Sequence, residues 1–428
     1  MVRSKEGGAR SQKERSARVP TDEELRWITE RAVAEGGIIP RDEFIAALAS
    51  GRALRLKMGF DPSAPDLTLG HAVGLRKLRQ LQDLGHTIVV IVGDWTARIG
   101  DPSGQSKTRP MLTADQVKAN AETYLRQFSK IVDRELTEIR WQSEWFDEFT
   151  LTTVVSLAAK FTVAQMLERG DFAERFAARK PIGIHELFYP LLQAYDSVAV
   201  EADVEFGGTD QTFNLLVGRQ LQPEFGQKPQ AVFTVPLLVG TDGVKMSKSQ
   251  GNYVALNDPP HDMYGKLMSI TDPLVGDYFE LLTDVPDEEL AGIREVIADG
   301  GIGARDAKMR LAREIVSQFH GAHAADEAED EFRRVFSKRE SPEEARDLPV
   351  PFNGAVSVDI DLAEALASAG IAASKSEVRR LISQGAVEAN GVPVEDTRLT
   401  VRTETMIRVG KHRFVRIVDR DRTALNER

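Results

Sequence analysis

"ALRLKMGFDPSAPDLTLGHAVGLRKLRQLQDLGHTIVVIVGD" (residues 53–94) carries three hydrophobic rhythms in succession. Leu54, Leu56, Met58 and Phe60 alternate with Arg55, Lys57 and Gly59, which is the period of a strand. Val73, Leu75, Leu78, Leu81 and Leu84 then recur near helical spacing until Gly85, which ends a helix. "TIVVIVGD" is a continuous β-branched run, expected of a strand buried on both faces. Strand, helix and buried strand within about 40 residues make a βαβ unit, and therefore a parallel sheet in an α/β fold. Much later, "AVFTVPLLVG" (231–240) reads as another strand of that sheet.

The chain has 428 residues, enough for more than one domain. Residues 1–20 read as a disordered basic tail, with six Lys/Arg against two Glu. Residues 255–345 are helix-rich and charged. A proline-bearing passage that includes a linker at 346–352 precedes a final segment, 353–428. There is no cysteine, so disulfides and thiolate metal sites are excluded. No run of 18 apolar residues predicts a membrane span, and the start lacks a signal-peptide core, so a cytoplasmic location is expected. The net charge of −11 argues against wrapping nucleic acid over the whole surface. Residues 353–428 hold 12 Lys/Arg and 11 Asp/Glu, which makes this segment the least repulsive place for a polyanion.

Five motifs could carry chemistry. "GFDPSAPDLTLGH" (59–71) runs from strand to helix, with Gly70 and His71 where free N–H groups and the helix dipole attract phosphate. "IGDPSGQSKTRP" (99–110) is expected to close a strand with Asp101, at the carboxyl end where parallel sheets bind ligands, followed by a loop with Lys107 and Arg109. It is not a Walker loop, because Lys107 is three residues past Gly104. In "FYPLLQAYDSVA" (188–199), Tyr189, Gln193 and Asp196 share one helix face, and Pro190 should make the helix start late or kink. That polar stripe among apolar neighbours fits a pocket wall. "EFGGTDQTFN" (205–214) offers two glycines for close approach, with Asp210 suited to a ribose diol and Gln211 able to donate and accept. "DGVKMSKSQGN" (242–252) holds two lysines on a glycine-hinged loop, able to close over a polyphosphate. Singly, each motif also reads as an ordinary turn or a solvated loop.

In this order the five resemble one family. Residues 59–71 resemble the "HIGH" region and 245–249 are a literal KMSKS, the pair that marks class I aminoacyl-tRNA synthetases. "GDPSG", "YxxxQxxD" and "GGTDQ" between them resemble a bacterial tyrosyl-tRNA synthetase. "GIAASKSEVRRLISQGAVEANGVPV" (370–394) resembles an S4 RNA-binding domain. The resemblance implies a Rossmann-like parallel-sheet catalytic domain over 21–254, with a helical insertion at about 140–195. A helical domain and a small α+β S4 domain would follow.

It implies a ligase that uses L-tyrosine, ATP with Mg²⁺ and tRNA(Tyr), as a homodimer. Asp196 would meet the substrate phenol, while Tyr189, Gln193 and Asp101 would hold the ammonium group. Asp61 and Gln211 would lie around the aminoacyl group and phosphate, and Gly208 and Asp210 near the ribose of ATP. Thr68, Gly70 and His71 would sit at the phosphates. Lys245, Lys248, Lys107 and Arg109 would grip the leaving pyrophosphate, and Lys375, Arg379 and Arg380 would contact RNA. "LAAKFTVAQML" (157–167) serves equally as a dimer contact or as core. Five positions depart from the family pattern. Ser63 stands where a Thr often follows "DP", a mild change. Thr68 replaces the first "HIGH" histidine, and Gln105 stands where many members carry a cation. Gln142 stands for a commoner Asn, and Lys57 for a Tyr that some members offer to the phenol. A tryptophanyl enzyme, or an inactive synthetase body that binds RNA, is the alternative.

Overall fold

The computed structural model describes residues 16–63, 66–101, 113–244, 246, 251–334, 345–390, 392–410 and 413–420. The chain divides into two compact units, Met1–Gly321 and Ala322–Arg428.

The first unit is built on a six-stranded sheet. Its strands are β1 (Ile38–Ile39), β2 (Arg55–Phe60), β3 (Thr87–Val92), β4 (Thr137–Trp141), β5 (Val204–Gly208) and β6 (Ala231–Val235). They lie in the order β1-β6-β5-β2-β3-β4, all parallel except the β1–β6 pair. Helix α1 (Asp22–Thr29) and α2 (Arg41–Ala49) precede β2. The crossover helix α3 (Leu69–Asp83) ends before Gly85, whose φ of 97° only glycine adopts without strain. Helices α4 (Thr96–Ile99) and α5 (Ala114–Phe128) join β3 to β4. Between β4 and β5 come α6 (Ser143–Phe146), α7 (Leu151–Ala158), α8 (Val163–Met166), α9 (Gly170–Ala177) and α10 (Ile184–Ala199). Helix α11 (Thr212–Leu221) joins β5 to β6, and α12 (Pro260–Met268), α13 (Val275–Leu282), α14 (Asp287–Asp299) and α15 (Gly301–His320) complete the unit.

Four local expectations are corrected here. Asp101 does not close a strand: β3 ends at Val92, and Asp101 follows the short helix α4 and its cap Gly100. The basic tail does not reach residue 20: Ala17 is buried, and the Ala17 and Arg18 N–H groups donate to the Gly51 and Leu84 carbonyls. Pro190 does not delay α10, which begins six residues earlier. Buried Leu191, Ala194 and Val198 hold the helix despite the missing N–H. Lys57 belongs to the polar set of an alternating strand, yet it is fully buried, because both faces of β2 are covered.

His86 follows the turn after α3. Its Nδ1 accepts the Leu54 N–H at 3.1 Å, while Nε2 is buried without a hydrogen-bond partner among the described residues. Burial, with the Arg52 charge adding to it, lowers its pKa from 6.5 to about 4. The neutral ring's contribution to stability is therefore complete above pH 6.5 and is lost as pH falls toward 4. The loss is on the order of 3 kcal/mol. Urea unfolding should show this acid loss in the wild type and not in His86→Asn. Equal slopes in the two proteins would contradict it.

The second unit opens with α16 (Ala322–Phe332). Its five-stranded sheet has the order β10-β9-β12-β13-β7, beside a β11-β8 ribbon. The strands are β7 (Arg346–Val350), β8 (Val358–Asp361), β9 (Val387–Ala389), β10 (Val392–Pro393), β11 (Arg398–Val401), β12 (Met406–Val409) and β13 (Arg413–Asp419). Helices α17 (Leu362–Ser368) and α18 (Lys375–Ser383) pack on a core that includes Leu366, Val378, Val387, Ile407 and Val415. The stretch read as a linker is instead β7, parallel to β13, with Leu348 and Val350 in that core. Pro349 is tolerated because β7 is an edge strand.

Candidate active site

The chain builds β2, β3 and β4 outward on one side, then returns to add β5 and β6 on the other. The switch falls between β2 and β5, and ligands bind at the carboxyl ends of strands at such a point. A cavity of about 370 Å³ lies there. Asp61, Thr68, Gly70, His71, Asp101, Tyr189, Gln193, Asp196, Gly208, Asp210 and Gln211 all line it. These are all the expected catalytic, ATP-site and tyrosine-site residues among the described residues. Lys107, Arg109, Lys245 and Lys248 lie outside the described residues.

At one end of the cavity is Asp196 on α10, 2% exposed. Its carboxylate accepts the Gln142 Nε2–H at 2.8 Å and the Trp145 indole N–H at 3.2 Å. Burial raises its pKa to about 7, and Lys57 and the Gln142 bond work against that rise. One turn and more back along α10, the Tyr189 hydroxyl donates to Asp61 at 2.9 Å. Burial and the Asp61 charge hold the Tyr189 phenol well above its ordinary pKa, so it remains a donor. Thr96 Oγ1 donates to the other Asp61 oxygen at 2.6 Å. This packing needs Gly93, since a Cβ there would lie 2.2 Å from Asp61 Oδ1.

Asp101 accepts from Gln211 Nε2 at 2.9 Å and from Arg169 at 3.2 Å. Arg169 is buried and also donates to Asn214, whose amide donates to Gln193 and Gln211. Two carboxylates therefore flank Tyr189 in a corner suited to a cation, with Arg169 offsetting part of their charge.

The other end is the start of α3. The Thr68 backbone N–H donates to His71 Nδ1 at 3.1 Å, and the Thr68 hydroxyl is 2.9 Å from the same nitrogen. Nδ1 is thereby an acceptor, and the proton of the neutral ring sits on Nε2. Thr68 is 5% exposed, so it orients His71 rather than reaching far into the cavity. Opposite, β5 runs into a 3₁₀ turn, Thr209–Gln211, where the sequence allowed a β-turn. A Cβ at Gly208 would lie 2.7 Å from Asp210 Oδ1, so glycine permits that close approach.

The sequence motifs missed Arg169, Asn214, Thr96 and Trp145. The pairing of Arg169 with Asp101 spans 68 residues of chain, and no local pattern announces it. Trp145 stands three residues after Gln142 in "RWQSEW", the nearest available signal.

The family model for class I tRNA synthetases (W and Y) matches residues 49–337, and the S4 domain model matches 362–407. A tyrosine–tRNA ligase of Dehalococcoides mccartyi (strain CBDB1) is 55% identical over 399 residues, 93% of this chain and 99% of the relative. The chain belongs to the class I tyrosyl-tRNA synthetase family. The tyrosine–tRNA ligase of Thermotoga maritima is 52% identical over 93% of this chain and 98% of its own length. Among solved structures, a C-terminally truncated mitochondrial tyrosyl-tRNA synthetase of Aspergillus nidulans aligns with a TM-score of 0.62 at 22% identity. The alignment covers 73% of this chain and 94% of that one. The Archaeoglobus fulgidus tyrosyl-tRNA synthetase complexed with L-tyrosine gives 0.58 at 22% identity, over 72% and 99%. At those identities the two structures speak for the synthetase fold alone.

Proposed function

We infer that this chain is a tyrosine–tRNA ligase that activates L-tyrosine with ATP and then esterifies tRNA(Tyr). The observation that carries the reading is the buried Asp196 carboxylate at one end of the cavity, held by Gln142 and Trp145. It is an acceptor placed to receive the hydroxyl of a phenol. The ammonium group would lie in the corner of Asp101, Tyr189 and Gln193, near Asp61 and Gln211. That arrangement directs the tyrosine carboxylate toward the start of α3.

There its oxygen attacks the α-phosphorus of ATP and the bond to pyrophosphate breaks. Gly70 and the α3 N-terminus, with His71 donating from Nε2, would stabilise the phosphate charge. Asp210 would accept from the ribose, and Gly208 lets the nucleotide approach. Lys245, Lys248, Lys107 and Arg109 are proposed to hold the departing pyrophosphate. The terminal ribose hydroxyl of tRNA then attacks the tyrosyl carbonyl and AMP leaves. No protein nucleophile is needed, because positioning and charge stabilisation suffice. Among the described residues no group of three His, Asp or Glu side chains is placed to hold a metal. Mg²⁺ is proposed to arrive on the phosphates of ATP, whose charge it screens.

The test is amino-acid-dependent exchange of labelled pyrophosphate into ATP. Tyrosine should drive it, and tryptophan or no amino acid should not. Exchange driven by tryptophan, or by neither amino acid, would overturn the reading.

The second unit is proposed to contact tRNA through the exposed Lys375, Arg379 and Arg380 of α18. Lys375 is ion-paired with Glu364 at the surface, as Arg413 and Arg416 are with Glu377 and Asp347. A homodimer is proposed through the region 151–184, where Leu151, Val155, Val163, Phe176 and Ile184 are exposed. Leu157 and Met166 from the same region are core. Sedimentation should give the mass of two chains, and Val155→Glu with Phe176→Glu should give that of one. A monomeric wild type would exclude the dimer. Among the described residues no helix is long and apolar enough to cross a membrane, and a cytoplasmic location is proposed.

A further inference from the structure

Behind the tyrosine end of the cavity, Lys57 of β2 and Glu205 of β5 form an ion pair at 2.9 Å, with side chains 0% and 1% exposed. Lys57 Nζ also donates to the Gln193 carbonyl at 2.8 Å and to Ser197 Oγ at 2.7 Å. All three of its N–H donors are thus engaged. Glu205 accepts from Gln193 Nε2 at 3.1 Å and from the Ser197 hydroxyl at 3.0 Å, and also from Gln230. The pair therefore grips α10 at Gln193 and Ser197, on either side of Asp196. Desolvation of two buried charges offsets much of their attraction, so an apolar pair of similar size would pack the sheet as well.

The groups around α10 come from several elements. Beta strands supply Lys57 and Glu205. Residues at the start of α6 supply Gln142 and Trp145, both uncharged donors to Asp196. Helix α4 carries Arg98, stacked on Trp95, and α11 carries Arg219, paired with Glu43. Glu224 is paired with Lys160 at the surface. Asp61, Asp101 and Arg169 face Tyr189. Lys57 and Glu205 are the charged groups acting on Asp196 itself, the first favouring its carboxylate and the second opposing it.

We propose that the Lys57–Glu205 pair is a positioning element for tyrosine recognition, which fixes the segment of α10 bearing Asp196 and biases Asp196 toward the carboxylate that accepts the substrate phenol. The proposal rests on the ligase reading above. Lys57 acts through Asp196 and not on the substrate.

The experiment measures kcat/KM for tyrosine and for phenylalanine in pyrophosphate exchange from pH 5.5 to 8.5, and takes their ratio. Phenylalanine has no hydroxyl to give Asp196, so the ratio cancels other titrating groups and follows Asp196. In the wild type the ratio should rise with pH, with a midpoint near the Asp196 value of about 7. Lys57→Met should move that midpoint up by about one pH unit, and Glu205→Gln should move it down. A purely structural role cannot produce opposite shifts.

Thermal melts establish that each variant is folded. If a single variant does not fold, the double variant Lys57→Met/Glu205→Gln, which leaves no orphaned charge, carries the test. Its midpoint should still lie above that of the wild type, because Lys57 is the stronger influence on Asp196. Midpoints that do not move, or that move in the same direction in both single variants, overturn the proposal. A wild-type ratio that is flat with pH, in an enzyme that still exchanges with tyrosine, overturns the role of Asp196 beneath it. Absence of tyrosine-driven exchange overturns the ligase reading itself.

Discussion

Asp196→Ala is expected to lower kcat/KM for tyrosine in pyrophosphate exchange by about 10- to 100-fold while leaving phenylalanine nearly unaffected or improved. A hydrogen bond to a charged acceptor contributes roughly 1.5–3 kcal/mol, and its loss leaves the substrate hydroxyl buried without a partner. The same carboxylate penalises phenylalanine in the wild type, because binding that ring strips solvent from Asp196 without giving it a phenol. Removing the acid removes that penalty. Tyrosyl-tRNA synthetases are themselves the standing example of rejecting an analogue that lacks a hydroxyl, so the full size of the discrimination is not a prediction from this structure. What is predicted is its dependence on this residue, and unchanged selectivity in the variant would refute it.

The buried Asp196 carboxyl also bears on stability. The folded pKa of Asp196 is raised from 3.8 to about 7. Its contribution to stability is complete below pH 3.8 and is lost as pH rises through 7, up to about 4 kcal/mol. Relative to the wild type, Asp196→Asn should therefore gain stability between pH 5 and pH 8, as read by thermal melts. The acceptor that recognises the phenol is thus held in a form that burial disfavours.

The second large effect is expected from removing the C-terminal sheet. A chain ending at residue 344 should keep tyrosine-dependent pyrophosphate exchange and lose about 100-fold or more in kcat/KM for tRNA. Phosphate contacts supply much of the affinity for a nucleic acid, and several lost together amount to some 3 kcal/mol. The cut must fall before β7. Ending the chain at 352 would leave Leu348 and Val350, which belong to the core of the lost sheet, without cover. Arg379→Ala with Arg380→Ala in the full chain should weaken charging and reduce its salt dependence without unfolding the unit, since both side chains are exposed. Equal loss of exchange and charging on truncation would contradict separate roles.

Much of this was legible in the chain because periodicity reports burial. The alternation of β2, the stripe of α3 and the unbroken run of β3 each announced their element, and Gly85 marked the helix end through its positive φ. Tyr189, Gln193 and Asp196 were legible for the same reason, since i, i+4 and i+7 share a helix face. What escaped depends on distance along the chain or on context. Alternation placed Lys57 with the polar residues, but the groups that let a lysine sit buried in the sheet, Glu205, Ser197 and the Gln193 carbonyl, come far later in the chain. Arg169 likewise finds Asp101 through folding alone. Pro349 of β7 read as a breaker because its tolerance on an edge strand follows from the strand order. Residues 16–18 looked like more tail, since two backbone bonds to Gly51 and Leu84 leave no trace in composition.

The account turns on which way tyrosine lies in the cavity between β2 and β5. A crystal structure with a non-hydrolysable tyrosyl-adenylate analogue measures this directly. The phenol oxygen is predicted within hydrogen-bond distance of Asp196, with the ammonium group beside Asp101 and Tyr189 and the ribose at Asp210. A phenol bound away from Asp196, or an analogue lying outside this cavity, would contradict it.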